Sequence, residues 1–451
     1  MSGKTVYILG AGASKTANLP IQAEILPLIF SISLRDRDAT SGADDFLSID
    51  LNVTAEKVRD FYPVFDAYRQ ELGKFIVASF STMDKYNQFL MAIEYAKNLK
   101  KTDVKAINQC EEFLFKAYDI AKNVNVSLED LFTIIDRVTA GREHFRLFSP
   151  QNMVEIHAKL KLCVIYALAY SSSIYCDDLQ YRRFSQLLIN TRLTAPQKED
   201  TPTVITLNWD NVLERVLYSM CDTYNSKKHK GNQRVSLDLC FNYYMLGLDS
   251  DNMPSTNIKA RGPKSIKILK MHGSLSWLEC PRCRRIYSDF SREIAVDEYA
   301  DKRCPHCKTS DILSDGDPIL QNLIITPTFL KSFDNLNIKN IWHNAYIEIS
   351  KAEQLIFIGY SFPDADFEMR CLLKKAIKSS AHITVVLNSS NNPQIYADSF
   401  AAKGYSINEI QQFLNRMQLP EGRYKSFFGE DKITFNYQGF QNYLDEVGGK
   451  V

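Results

Sequence analysis

Apolar residues along this chain follow two rhythms. In the first, short and nearly unbroken apolar runs end in a glycine or polar turn: "TVYILGAGAS" from Thr5, "TVITLNWD" at 203–210, "QLIFIGYS" at 354–361 and "HITVVLNSS" at 382–390. Runs of this kind predict parallel strands covered by helices on both faces. The second rhythm is helical. From about 36 to 200 strand-like alternation is almost absent, and "FSTMDKYNQFLMAIEYAKNLKK", "SLEDLFTIIDRV" and "NMVEIHAKLKLCVIYALAYSSSIY" carry apolar residues at helical spacing. In the second of these, Leu128, Leu131, Phe132 and Ile135 share one helical face, and Ser127 with Asp130 forms a capping box. The stretch is too long and too apolar for a loop, so the pattern predicts an α-helical insertion at 36–199 within an α/β, doubly wound Rossmann-like parallel sheet. Beyond 390 an extension, 391–451, combines a helical "SINEIQQFLNRM", a hairpin expected in "RYKSFFGEDKITFNY" and a short terminal helix.

Length and charge narrow the function classes. A chain of 451 residues with 45% apolar composition can bury a large core and is expected to form more than one domain. Lys plus Arg number 54 against 53 Asp plus Glu, which gives no overall reason to expect nucleic acid or an acidic membrane. No uninterrupted apolar run approaches the roughly 20 residues of a membrane span, and the start lacks the apolar core of a signal peptide. A cytoplasmic protein with no membrane attachment is the expectation.

Of the ten cysteines, Cys110, Cys163, Cys176, Cys221, Cys240 and Cys371 are scattered, and Cys163 reads as an apolar core residue. The other four stand as "CPRC", Cys280 and Cys283, and "CPHC", Cys304 and Cys307. Two such knuckles make a closed tetrahedral thiolate site for structural zinc, a ribbon at 278–310 with no position left for substrate. His306 lies inside a knuckle and reads as a bystander.

Three polar clusters sit at strand ends, where open parallel sheets bind ligands. Gly10 to Ser14, "GAGAS", lets backbone N–H groups approach a pyrophosphate beside a helix N-terminus, but Lys15 stands where the third fingerprint glycine belongs, and the Walker pattern is absent. "TLNWD" offers Asn208 and Asp210, either as ligand contacts or as caps of the helix begun by "NVLERVLYSM". His272, in "KMHGS", is either a satisfied structural residue or a catalytic base with a pKa near neutrality. Glu129 and Asp130 read as first-turn compensation of a helix dipole.

In this order, "GAGAS", "TLNWD", "HGS", the cysteine pairs, "GYS" at 359–361 and "VVLN" at 385–388 resemble the sirtuin superfamily, over 1–35 and 200–390. The resemblance implies NAD as substrate: Gly10, Ala11, Gly12 and Ser14 at the pyrophosphate, Gly359 and Ser361 along the phosphate and ribose, and Asn388 at the adenosine ribose. It also implies Asn208 at the nicotinamide ribose, Asp210 orienting the carboxamide and His272 acting on the ribose hydroxyls. The chain departs from protein deacylases. "KTANLPIQAEIL" replaces their Gly-Ile-Pro-Asp-Phe-Arg stretch, Leu207 their Gln, and "NLIITPTFLKSF" their Phe-Gly-Glu segment. These departures resemble bacterial sirtuin-like antiviral defence proteins that hydrolyse NAD. An NAD glycohydrolase acting as a regulated NAD-depleting effector is therefore expected, with a protein deacylase and a non-catalytic NAD or ADP-ribose sensor as the alternatives. The same resemblance implies a homo-oligomer, and as partner a ring-forming ATPase, an Argonaute-like protein or a phage protein, without direct nucleic-acid binding.

Overall fold

The computed structural model describes residues 3–32, 49–98, 114, 116–175, 179–195, 202–227, 234–238, 243–245, 264–288, 303–308, 318–331, 333–417 and 419–448. The positions of Cys110, Cys176 and Cys240 and part of the expected insertion and ribbon lie outside them.

The apolar runs form strands as their composition requires. β1 (Thr5–Leu9), β2 (Thr203–Thr206), β3 (Ser236–Asp238), β5 (Ser265–Lys270), β9 (Gln354–Ile358), β10 (His382–Val386) and β11 (Ile433–Asn436) build one sheet, in the order β11-β10-β9-β1-β2-β5-β3. Every pairing in it is parallel. Val6, Ile8, Val204, Ile205, Leu355 and Phe357 are buried, as residues of a sheet covered on both faces must be. A second sheet, β4 (Tyr243–Met245), β7 (Ile286–Ser288), β6 (Gly273–Glu279) and β8 (Gln321–Ile324) in that spatial order, is mainly antiparallel and carries the cysteines.

Helices fall into a sheet-covering set and a separate bundle. After β1 come α1 (Ala11–Ser14), α2 (Gln22–Ser31), α3 (Ile49–Phe80), α4 (Met83–Asn98), α5 (Leu128–Gly141), α6 (Pro150–Tyr175) and α7 (Leu179–Thr194). The expected capping box at α5 is present: Asp130 N donates to Ser127 Oγ at 3.1 Å, and Ser127 N donates to Asp130 Oδ2 at 2.9 Å. α2 to α6 share a core of their own, including Phe30, Phe65, Phe75, Phe132, Tyr166 and the expected Cys163. α7, although within the expected insertion, packs through Tyr181, Phe184 and Leu188 on the core of the sheet.

α8 (Val212–Ser226), the single turn α9 (Pro305–Lys308), α10 (Leu336–Lys351) and α11 (Phe367–Ala376) follow in the sheet region. The tail comprises α12 (Pro393–Ala402), α13 (Ile407–Met417), α14 (Pro420–Phe428) and α15 (Gly439–Gly448). Here the structure corrects the expected hairpin. "RYKSFF" belongs to α14, and "ITFN" is β11, an edge strand parallel to β10. Phe427 and Phe428 turn inward on Phe362 at ring distances of 4.9 and 5.8 Å, a contact that a hairpin reading of the aromatic run could not foresee.

Candidate functional site

The sheet reverses its direction of growth between β1 and β9: the chain leaves β1 toward β2 on one side and β9 toward β10 on the other. Ligand crevices form at such a switch point, beyond the carboxyl ends of the strands. A cavity of about 770 Å³ lies there, within the roughly 300–1,000 Å³ of small-molecule pockets. Gly10, Ala11, Gly12, Ser14, Asn208, Asp210, His272, Gly359, Ser361 and Asn388 all line it. Every residue expected from the cleft motifs is thus at one cavity, although almost 380 positions separate the first from the last.

Close packing of two turns explains its glycines. Gly359 has φ of +62°, and a Cβ there would come within 2.1 Å of Ala13 N, so only glycine fits. Gly12 N donates to Gly359 O at 2.8 Å, and Gly10 N to Ile358 O at 3.0 Å. The glycines therefore weld the turn after β1 to the turn after β9, and two of the amides expected to face a pyrophosphate are already used. The helix expected to aim its dipole into the cleft is a single turn, α1, continued by the 3-10 turn Lys15–Ala17. Aligned peptide dipoles sum along a helix, so one turn supplies little field, and side chains carry more of the polarity than the motif implies.

Those side chains form a connected group. Asn208 Nδ2 donates to Gly10 O and to Ser14 Oγ, both at 3.0 Å. Ser14 Oγ donates to Asp210 Oδ2 at 2.8 Å and meets Tyr181 Oη at 2.8 Å. Asp210 Oδ1 accepts from Val212 N at 3.2 Å, so this carboxylate both steadies the start of α8 and belongs to the cavity network. Beneath the turn, Lys270 Nζ donates to Asp210 O and pairs with buried Glu214 at 2.6 Å. Trp209 also borders the cavity, but its Nε1 donates to Ile325 O at 3.1 Å and its ring packs on the helical bundle. The indole joins the insertion to the sheet, and the amide and carboxylate flanking it face the cavity.

His272 stands on the neighbouring strand end, with 7% of its surface exposed. The next residue, Gly273, has φ of +77° and would clash with Leu323 O at 2.1 Å if it bore a Cβ, which fixes how the chain turns there. Burial lowers the imidazole pKa below the ordinary 6.5, nearby Asp366 opposes that fall, and Lys331 adds to it. Burial thus favours the neutral ring. Its Nε2 finds no hydrogen-bond partner among the described residues.

Sequence reasoning missed two residues here. Tyr181 comes from α7, and nothing in its local pattern links it to Ser14. Asp366 also lines the cavity and accepts from Tyr360 Oη at 3.0 Å and from Lys331 Nζ at 3.0 Å. The signal for Asp366 was the "PDAD" that continues past "GYS", a further polar cluster at a strand end.

The four cysteines form a separate centre. Their sulfurs lie within 4.8 Å of one another, with Cys280 Sγ to Cys307 Sγ 3.8 Å and Cys283 Sγ to Cys304 Sγ 3.7 Å. Zn–S bonds of about 2.3 Å at tetrahedral angles require S···S separations of about 3.8 Å, so the donor set fits zinc. Tyr287 Oη lies 3.0 Å from Cys304 Sγ, and although burial opposes ionisation of that thiol, this contact helps hold its pKa below the ordinary value. Cys280, Cys304 and Cys307 are buried, and none of the four lines the cavity.

No curated protein matches the chain. Similar solved structures include a sirtuin studied for its substrate affinity (12% identity, covering 99% of this chain and 92% of that one, TM-score 0.32). Sir2Tm bound to a propionylated peptide is similar at 12% identity, 99% and 92% coverage and TM-score 0.32. A Sir2 homologue in complex with NAD gives 12%, 99% and 88%, and TM-score 0.31. These likenesses are distant, and the fold stands on the strand order and cavity described above. Residues 202–408 match the family model of the SIR2-like domain, which spans β2 to β10, "TLNWD", His272, the four cysteines, Gly359 and Asn388. Over residues 202–408 the chain is therefore similar to the SIR2-like domain.

Proposed function

We propose that the protein is an NAD glycohydrolase that converts NAD and water to nicotinamide, ADP-ribose and a proton. The observation that carries this reading is the assembly of Asn208, Asp210 and His272 with both glycine turns around one cavity. Water would attack C1′ of the nicotinamide ribose as the C1′–N bond breaks, its electron pair passing to the pyridine nitrogen. Asn208 commits its Nδ2 to Gly10 and Ser14, which leaves Oδ1 to accept from a ribose hydroxyl or from that water. Asp210, fixed through Ser14 and Val212, orients the carboxamide. His272, neutral and with Nε2 bare, takes the proton, a role for which general-base catalysis supplies typically about 10²- to 10⁴-fold. Gly10, Ala11, Gly12, Ser14, Gly359, Ser361 and Asn388 hold the rest of the dinucleotide. Cys280, Cys283, Cys304 and Cys307 hold a structural zinc outside this chemistry.

The resemblance to defence proteins extends the proposal to a regulated NAD-depleting effector of bacterial antiviral defence, cytoplasmic and oligomeric, with its partner of the ATPase, Argonaute-like or phage class. Large apolar side chains exposed on the bundle, among them Met83, Met91, Leu147 and Val154, support assembly through the insertion. Among the described residues no helix is long and apolar enough to cross a membrane. The test is to incubate purified protein with NAD, with and without an acylated peptide, and identify the products. Nicotinamide and ADP-ribose without peptide support the glycohydrolase. Products that require the peptide would establish the deacylase instead, and binding without turnover the sensor.

A further inference from the structure

His272 is held from one side and left open on the other. On one side the Leu207 backbone favours the charged form of the ring, and Nε2 has no hydrogen-bond partner among the described residues. The Trp342 ring lies against the imidazole at 6.2 Å between centroids, itself held by Trp342 Nε1 donating to Met271 O at 3.0 Å.

Across from Nε2 stands a carboxylate that cannot swing away. Asp366 Oδ1 is 4.0 Å from Nε2 and accepts from Lys331 Nζ at 3.0 Å, while Oδ2 accepts from Tyr360 Oη at 3.0 Å. Lys331, whose side chain is 1% exposed, also donates to Ala365 O and to Glu368 Oε2 at 3.2 Å. Burial works against the charge on Asp366, but His272 and Lys331 outweigh it and keep the carboxyl below its ordinary pKa. While the imidazole is neutral, Nε2 makes no hydrogen bond to this carboxylate. Once Nε2 carries a proton, the same arrangement becomes an ion pair between largely buried side chains, where such pairs are stronger than in water.

We propose that Asp366 is a positioning residue for His272, a carboxylate pinned by Lys331 and Tyr360 so that it stabilises the imidazolium formed when His272 accepts a proton. The proposal rests on the reading of His272 as proton acceptor in NAD cleavage. The charged groups around the ring come from several elements: Asp366 and Glu368 at the start of α11 favour its charged form, and Lys331, after β8, opposes it. Glu129 of α5 interacts with both Asp366 and Lys331 from the bundle side.

The experiment is an NMR titration of the His272 ring in the full-length protein without NAD, assigned with a His272→Gln variant. An opposite charge at about 4–6 Å moves a pKa by about 1–3 units. Asp366→Asn should lower the His272 midpoint by about that much, Lys331→Met should raise it, and Asp366→Glu should restore it toward the native value. With NAD, Asp366→Asn should reduce kcat more than it changes KM and move the acid limb of the rate profile to lower pH. Midpoints unchanged in both variants, or shifted the same way by both, would overturn the proposal. Should the native protein release no nicotinamide while the midpoints move in opposite directions, the glycohydrolase reading fails and the Asp366–His272 pairing stands.

Discussion

The cysteine cluster and the cleft beyond β1 and β9 are both made of polar side chains brought together from distant segments, yet they treat those groups differently. At the cysteines every thiol faces another thiol at the spacing of one tetrahedral ion, behind Leu278, Tyr287 and Leu320. In the cleft, Asn208, Asp210 and Ser14 satisfy one another only in part, His272 Nε2 has no hydrogen-bond partner among the described residues, and the whole group borders about 770 Å³ of space. A closed donor set stabilises a fold, whereas an open one keeps bonding capacity for a ligand. Burial alone does not distinguish them; the direction of the unused lone pairs does.

Substitutions sharpen this contrast, beginning with the open site. Asn208→Ala or His272→Ala should each reduce NAD cleavage by about 10²- to 10⁴-fold, with a cooperative thermal unfolding transition retained in a thermal scan. At the closed site, Cys304→Ser should do the reverse, because loss of a ligand from a structural zinc site is loss of folding free energy. Metal content and thermal stability should fall together, and a stable, metal-free and fully active variant would show the cluster to be dispensable.

Lys270→Met probes the support beneath the cleft. Removing one member of a buried ion pair costs about 3–5 kcal/mol, to be read as a lower midpoint in urea denaturation. A smaller effect is expected at the far wall, where Arg423 Nη2 and Nε donate to Ser361 O at 2.7 and 2.9 Å and Tyr424 Oη donates to Tyr360 O at 3.0 Å. These bonds hold a turn in which Phe362 has φ of +57°, an unfavourable conformation for an aromatic residue. Arg423→Ala should raise KM for NAD several-fold with little change in kcat, as measured by initial rates.

The pH profile is the subtlest discriminator. In the proposed mechanism His272 must be neutral, and burial lowers its pKa from the ordinary 6.5, so the acid limb of the rate profile should be centred below pH 6.5. A decline already centred above pH 6.5 would mean that another group controls the reaction.

The two sites also differed in how legible they were. Both cysteine pairs declare their chemistry by spacing alone, and the strands of the large sheet declare themselves because residues buried on both faces are apolar without interruption. The turn "TLNWD" was half legible: its placement at a strand end marked a ligand position, but the cap and the network reading are both true of Asp210. Tyr181 was not legible, since α7 reads as one more apolar helix of the insertion until its packing on the sheet is seen. The tail was misread for a related reason. Aromatic and β-branched residues favour strands in general, but Phe427 and Phe428 are aromatic in order to fill the space around Phe362, so tertiary packing decided α14 against local preference.

The central claim is that the open cleft cleaves NAD without a peptide. The most direct measurement is chromatographic quantification of nicotinamide and ADP-ribose after incubating the native protein, and its Asn208→Ala and His272→Ala variants, with NAD alone. The account predicts equimolar products from the native protein and essentially none from either variant. Native protein that binds NAD but releases nicotinamide only when an acylated peptide is supplied, or equal release by native protein and variants, would contradict it.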